Sequence, residues 1–249
     1  MKPELPKTEL PKTELSGLEY QQLEREISKL GFLIRGGFVP TKEDGVPDMS
    51  LRRQPHTVVM VGNAGSGVFW QNFIHSPEYE AGSPNPMDDW TRRVMDDFAK
   101  KFGGEALFPS DGPPYQPFQR WSSRAERLYP SPIGLYISPN WGTWHALRAA
   151  ILFPMAVANL PTLSEQQNPC LNCEDQPCLS SCPVDAFVAG QAYDYLACAK
   201  HVVSDEGNDC ASRGCLARRA CPVGQEFTLA PEHAAFHMAA FTGARKKIW

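Results

Sequence analysis

The chain has 249 residues, 42% of them hydrophobic, and a formal net charge of −4. That length suits one large domain or a medium domain with a small appendage, and the apolar content is enough for a core. The charge excludes a general attraction to nucleic acid or anionic membranes, and no apolar run approaches the roughly 18 residues of a membrane span.

Residues 1–16 hold Glu-Leu-Pro-Lys-Thr twice in succession, which predicts a disordered or extended tail. This charged, proline-rich beginning does not read as a signal peptide, so the expected location is cytoplasmic. A helix is predicted over Leu18–Leu30, where Tyr20, Leu23, Ile27 and Leu30 recur at helical spacing before Gly31. Residues 35–55, rich in Gly, Pro and Asp, read as loop. Thr57–Gly62 is apolar and β-branched, a buried strand, and Val68–His75 reads as a helix. The glycine-rich turn between them lacks the Gly-Lys-Ser/Thr ending of a phosphate loop and reads as a strand-to-helix turn.

A clearer helix runs from Pro86 to Lys101. Asn85 is its expected N-cap, Pro86 suits the first turn, and Asp88 and Asp89 face the positive end of the helix dipole. Trp90, Val94 and Phe98 form its apolar stripe. Ile133–Ile137 reads as a strand, and Thr143–Phe153, with Trp144, Leu147 and Ile151, as a helix that Pro154 ends. The elements predict an α+β domain over 17–162 and a separate cysteine module over 163–249.

All eight cysteines lie in that module. They read Cys170-x2-Cys173-x4-Cys178-x3-Cys182-Pro183, then Cys198, then Cys210-x4-Cys215-x5-Cys221-Pro222. Four thiols in one short loop, closed by Cys-Pro, are a close variant of the bacterial ferredoxin run, and eight thiolates are the ligand number of two [4Fe-4S] clusters. Structural zinc draws ligand pairs from either side of a longer loop and fits less well. A disulfide framework suits an exported chain. The pattern therefore predicts an iron–sulfur, metal-binding protein that takes part in electron transfer.

Three upstream segments resemble the cobalamin-processing proteins of the cblC (MMACHC) type, which have a nitroreductase-like α+β fold. They are His56–Val61 leading through Phe69 and Phe73 to Asn85-Pro-Met-Asp-Asp89; Tyr115-Gln-Pro-Phe-Gln-Arg120; and Gly134-Leu-Tyr-Ile-Ser-Pro-Asn-Trp-Gly-Thr-Trp-His-Ala-Leu-Arg148. The cysteine order resembles the cluster domain of epoxyqueuosine reductase and reductive dehalogenases, with wider spacing at Cys173-x4-Cys178 and in the second group. That resemblance implies crossed ligand sets, with Cys170, Cys173, Cys178 and Cys221 on one cluster and Cys182, Cys198, Cys210 and Cys215 on the other.

The two resemblances together imply a nitroreductase-like cobalamin-binding domain followed by a small dicluster ferredoxin-like domain. The expected activity is that of an oxidoreductase. It passes electrons from a low-potential donor (ferredoxin, flavodoxin or flavin reductase) through the clusters to a corrinoid, for reductive removal of its upper ligand. Alternatives are a corrinoid-dependent reductase of another substrate, which would meet nucleic acid if it resembled epoxyqueuosine reductase, and a ferredoxin-type electron carrier whose first domain docks a partner. FMN is an alternative ligand on the same scaffold, and no membrane partner is expected.

By resemblance, Arg148 would contact an anion or thiol substrate, against the simpler reading of a helix-surface salt bridge. Tyr115, Phe118 and Gln119 would line the pocket, and Trp141 and Trp144 would form its rim. His145 lies inside the best-matching segment and is read as a weak contender for a cobalt ligand. Arg213, Arg218 and Arg219 lie among the cysteines, where they would offset cluster charge or form a solvated basic face that docks an electron donor.

Overall fold

The structure, a computed structural model, describes residues 17–163 and 165–244. The repeated tail segment at 1–16 lies outside the described residues. The first elements are α1 (Tyr20–Ser28), β1 (Leu33–Phe38), β2 (Thr57–Ala64), α2 (Gly67–Ile74), α3 (Pro77–Glu80), α4 (Pro86–Lys101) and β3 (Glu105–Leu107). There follow α5 (Phe118–Ala125), β4 (Tyr129–Pro130), β5 (Tyr136–Ile137) and β6 (His145–Phe153). The cysteine module contributes α6 (Pro177–Ser180), α7 (Tyr195–Val202), α8 (Asn208–Arg213), α9 (Leu216–Arg219) and α10 (Pro231–Gly243). The architecture is mixed α+β. Among the described residues no helix is long and apolar enough to cross a membrane.

Four strands form an antiparallel sheet in the order β1-β2-β6-β3. Successive side chains of a strand point to opposite faces, and here both faces are covered. Val59, Val61, Ala149, Ile151 and Phe153 face one core with α1, α2 and α4, while Val58, Met60, Ala150 and Leu152 face a second with Phe118 and Trp121 of α5. A strand buried on both faces reads as a continuous apolar run.

This corrects the helix predicted over Thr143–Phe153. Its apolar positions fit a helical period, but the segment is the inner strand β6, paired with β2 and β3. Tertiary pairing overrides the local helix preference of an Ala- and Leu-rich stretch. The loop predicted over 35–55 also needs correction. Its start is β1, whose two glycines, Gly36 and Gly37, mask a strand. The predicted strand Ile133–Ile137 is reduced to Tyr136–Ile137. The helix at Pro86–Lys101 has the expected bounds, although the Asn85 side chain makes no cap hydrogen bond.

The cysteine module is fastened to the sheet at two places. The loop after Cys221 lies against the Trp141-Gly142 turn so closely that a Cβ on Gly142 would stand 2.0 Å from the Val223 carbonyl oxygen, and one on Gly224 would stand 2.4 Å from the Trp141 carbonyl carbon. Both glycines also adopt positive φ, of 55° and 71°, so only glycine suits either position. At the other place α10 returns to α2. His233 stacks on Trp70 at 4.4 Å, and Phe236 meets Phe73 at 5.1 Å.

Candidate functional site

The eight cysteines are all free and gather in two groups. Cys170, Cys173, Cys178 and Cys221 line one cavity with Ile133, Ile137, Thr143 and prolines of the cysteine loops. Cys221 is far from the other three in sequence and reaches them because the Gly142–Gly224 contact holds its loop in place. Burial, and then the neighbouring Cys221, Cys178 and Cys173, push the Cys170 thiol up.

The other four lie near one another. Cys182 packs in a small buried cluster with Cys198 and Cys215 at its margin. Burial raises the Cys215 thiol, with Cys198 and Cys210 adding to the effect, and Cys182 contributes to the upward shift of Cys210. The amide of Ala186 donates to the Cys182 sulfur at 3.3 Å. Cys178 also packs at the margin of this buried cluster. Among the described residues no group of three or more His, Cys, Asp or Glu is set to hold a metal ion. A four-iron cluster would make a different demand, one thiolate to each iron, and the four cysteines lining one cavity are the donor number it would need.

A cleft adjoins the four-thiol cavity. Thr143 lines both that cavity and a neighbouring one of about 230 Å³, which Gln119, Tyr136, His145, Leu147 and Arg218 also line. Gln119, Tyr136 and Leu147 continue into a larger space of about 680 Å³, with Phe118 and Pro109. Pro109 and Leu147 then lead to a third, of about 230 Å³, holding Arg148, Asp88, Thr91 and Ser110. The cleft thus runs around the edge of β6 where β3 stops, from Arg148 to the thiols.

A bulge in β6 sets the position of Arg148. Val61 pairs with Ala149 and Gly62 with Leu147, so Arg148 is the extra, unpaired residue. Bulges re-aim side chains and are common beside functional sites. Here the extra residue turns Leu147 toward the α5 face and Arg148 toward α2 and α4. Arg148 donates from Nε to Asn63 Oδ1 at 2.8 Å and lies 5.1 Å over the Phe69 ring. Burial pushes its pKa down to about 10, with Asp88 opposing. Its Nη2 and the Thr91 hydroxyl, the latter on a residue 3% exposed, meet no hydrogen-bond partner among the described residues. The surface salt bridge expected on the simpler reading is not what is found. Arg148 is a partly buried cation with donors left for an anion.

The remaining predicted residues are spread out. Gln119 and Phe118 line the cleft, although Phe118 is also a buried core residue. Tyr115 is 67% exposed. Trp144 is buried beneath the Arg218 guanidinium, 4.4 Å from its ring, and Trp141 meets the guanidinium of the buried Arg35 at 4.3 Å. The Arg213, Arg218 and Arg219 run is not one solvated basic face. Arg218 donates to the Thr143 carbonyl at 3.1 and 2.5 Å and Arg219 pairs with Asp209, which leaves only Arg213 exposed.

His145 stands beside the cleft with Nε2 3.1 Å from the Tyr136 carbonyl, and burial, with Arg35 and Arg218 adding, lowers its pKa to about 3. Its imidazole is therefore neutral. Sequence reasoning missed the buried Arg35, the Arg35–Glu126 ion pair and the Ser66–His233–His237 chain. The His-x3-His spacing of the last pair was legible; the others depend on which strands meet.

No known protein family matches the chain, and no curated protein matches it in sequence. Solved structures share its outline. An epoxyqueuosine reductase from Bacillus subtilis is 15% identical, with a TM-score of 0.42 over 86% of this chain and 70% of that one. Epoxyqueuosine reductase with a modified tRNA-Tyr stem loop is 13% identical, with a TM-score of 0.41 over 86% of this chain and 69% of that one. The B12-trafficking protein CblC of C. elegans, a homologue of human MMACHC, is 11% identical, with a TM-score of 0.45 over 92% of this chain and 97% of that one. Likeness at this level concerns the course of the backbone alone.

Proposed function

We propose that this chain is a reductase that holds two [4Fe-4S] clusters and delivers their electrons to a corrinoid in the adjoining cleft, removing its upper ligand by decyanation or dealkylation. The observation that carries this reading is the shared wall. Thr143 lines both the four-thiol cavity and the cleft, so a cluster held by Cys170, Cys173, Cys178 and Cys221 would face whatever the cleft binds. The clusters supply single electrons.

The chain's own residues do the rest. Gln119, Phe118 and Leu147 line the space with apolar surface and one side-chain amide. Arg148 and Thr91 offer donors to an anionic group of the ligand or of a co-substrate. The neutral His145 is held by the Tyr136 carbonyl beside the same space. FMN is the alternative occupant of this space.

The test is anaerobic reconstitution with iron and sulfide, followed by addition of cobalamin or FMN while visible spectra are recorded. Expected are a brown protein with about eight irons, following the two-cluster ligand count, and a cobalamin spectrum showing displacement of its lower base. A chain that holds stoichiometric zinc and no iron would refute the cluster reading. Clusters without any corrinoid response would favour the electron-carrier reading.

A further inference from the structure

The cavity lined by Cys170, Cys173, Cys178 and Cys221 is completed from the first domain, which supplies Ser131 and Thr143 to its wall. Ser131 Oγ and Thr143 Oγ1 are both buried, and neither meets a hydrogen-bond partner among the described residues. Gln176 aside, the rest of the wall is prolines, Ile133, Ile137, Val223 and the thiols. A buried donor left without an acceptor is costly, and two on one wall call for a physical reason.

The fold fixes the backbone that carries each hydroxyl. Ser131 lies in a tight turn, where its amide donates to the Leu135 carbonyl at 2.9 Å and its carbonyl accepts from the Gly134 amide at 3.0 Å. Ile133, in the same turn, packs with Cys182, Ala186 and Ala217. Thr143 follows Gly142, which is pressed against Val223, and its own carbonyl accepts from Arg218 Nε and Nη2. Thr143 is 3% exposed. It lines the cleft as well, but Ser131 does not, so the thiol cavity is the space the two hydroxyls share.

Resting on the two-cluster reading above, we propose that Ser131 and Thr143 donate hydrogen bonds to sulfur atoms of the cluster held by the Cys170 group, and so raise its reduction potential. A [4Fe-4S] cluster presents inorganic sulfides and thiolate sulfurs as acceptors, and these gain negative charge when an electron arrives from the external donor. A hydroxyl that donates to them stabilises the reduced form, and hydrogen bonds to the sulfurs are among the determinants of cluster potential. The donors found at the other thiol group are backbone amides: Ala186 at Cys182, Leu216 at Cys210, and Ala217 and Arg218 at Cys215. Loss of a hydroxyl should therefore be felt by one cluster and not by the other.

The experiment is an anaerobic redox titration of the reconstituted full chain with dithionite, the reduced clusters being followed by electron paramagnetic resonance. Thr143→Val, close in shape but without the donor, should lower the midpoint of one cluster by the equivalent of about a three- to tenfold change in its equilibrium constant, tenfold being about 59 mV for one electron. Ser131→Ala should shift the same cluster in the same direction, and the double variant should shift it further. Thr143→Ser should stay near the parent. Iron content and the midpoint of the other cluster should not change. In heavy water, the coupling of one exchangeable proton to the reduced cluster should vanish in Thr143→Val and persist in Thr143→Ser. Should Thr143→Val fail to hold its cluster, Ser131→Ala decides alone. If reconstitution yields no cluster in the parent, the functional reading itself fails. If both clusters assemble but neither midpoint moves, if both move equally, or if Thr143→Val alters only the response of the cleft to cobalamin or FMN, the functional reading stands and the hydroxyl assignment is wrong.

Discussion

The sheet and the cysteine module are held together by different means. The sheet has aromatic and aliphatic side chains on both faces, from Phe32 and Trp90 on one to Trp121 and Met60 on the other. The buried cluster of the module consists of Ile133, lent by the first domain, with Cys182, Ala186 and Ala217. Its helices are short, four residues in α6 and in α9. So small a core contributes little against chain entropy. What the module has in abundance is free thiols, and a metal site that forms only in the folded state contributes its binding free energy to folding. On the two-cluster proposal, one half would be stabilised by burial and the other by ligation.

The largest expected effect separates the halves. Stripping iron with a chelator under reducing conditions should loosen α6–α9 and spare β2 and β6, which hydrogen exchange can read segment by segment. Uniform loss of protection across both regions would contradict the comparison. Within the module, Cys173→Ala and Cys221→Ala should each remove the same cluster, leaving about four irons, and the double variant should lose no more. Cys198→Ala should remove the other cluster. Any other pattern breaks the partition seen around the two thiol groups. In the sheet, Ile151→Ala should lower stability by about 2–5 kcal/mol, as a buried large-to-small change does, with the iron content unchanged.

Arg148 lies where the sheet serves the site. Arg148→Met should leave iron content and folding near normal while lowering turnover about 10- to 100-fold, the equivalent of the ~1.5–3 kcal/mol of a charge-assisted hydrogen bond. Recovery with Lys should be partial, because a point charge does not reproduce the guanidinium fork. Undiminished turnover in Arg148→Met would remove this residue from the mechanism.

What could be read in advance follows the same division. The cysteine pattern is written locally: spacing and Cys-Pro closure mark it in the sequence, and the chain places Cys221 beside Cys170, Cys173 and Cys178 around one cavity. Burial is written between distant segments. Trp144, Leu147 and Ile151, in and just before β6, fit a helical period, and nothing local reveals that β2 and β3 flank this strand. The bulge that turns Arg148 toward Phe69 exists only in the register of β2 against β6. The return of α10 onto Trp70 was equally out of reach, since its His233, Phe236 and His237 row has no partner until α2 is placed.

The smallest expected effect lies at that seam. Ser66 Oγ accepts from the Ala230 amide at 2.8 Å and lies 3.0 Å from His233 Nδ1, while His233 Nε2 lies 3.1 Å from His237 Nε2. Burial lowers the pKa of His233 to about 3, with His237, Arg148 and Arg218 adding to the effect, and burial brings His237 to about 4. In the unfolded chain a histidine titrates near 6.5. Between these values the unfolded state binds more protons, so stability is complete above about pH 6.5 and falls as the pH drops. For His233 alone, going from pH 6.5 to 5 should cost about 2 kcal/mol, at roughly 1.4 kcal/mol per unit. His233→Leu gives up the hydrogen bonds of the chain, about 1 kcal/mol, so it should be less stable than the parent at pH 7. It also gives up one proton of the pH slope, so the two stability curves should cross between about pH 6 and pH 5, below which the variant is the more stable. Urea unfolding between pH 5 and 7 reads both effects. Parallel curves would mean that His233 titrates in the folded protein as it does in the unfolded chain, and that the seam between the halves is wetter than the stacking on Trp70 implies.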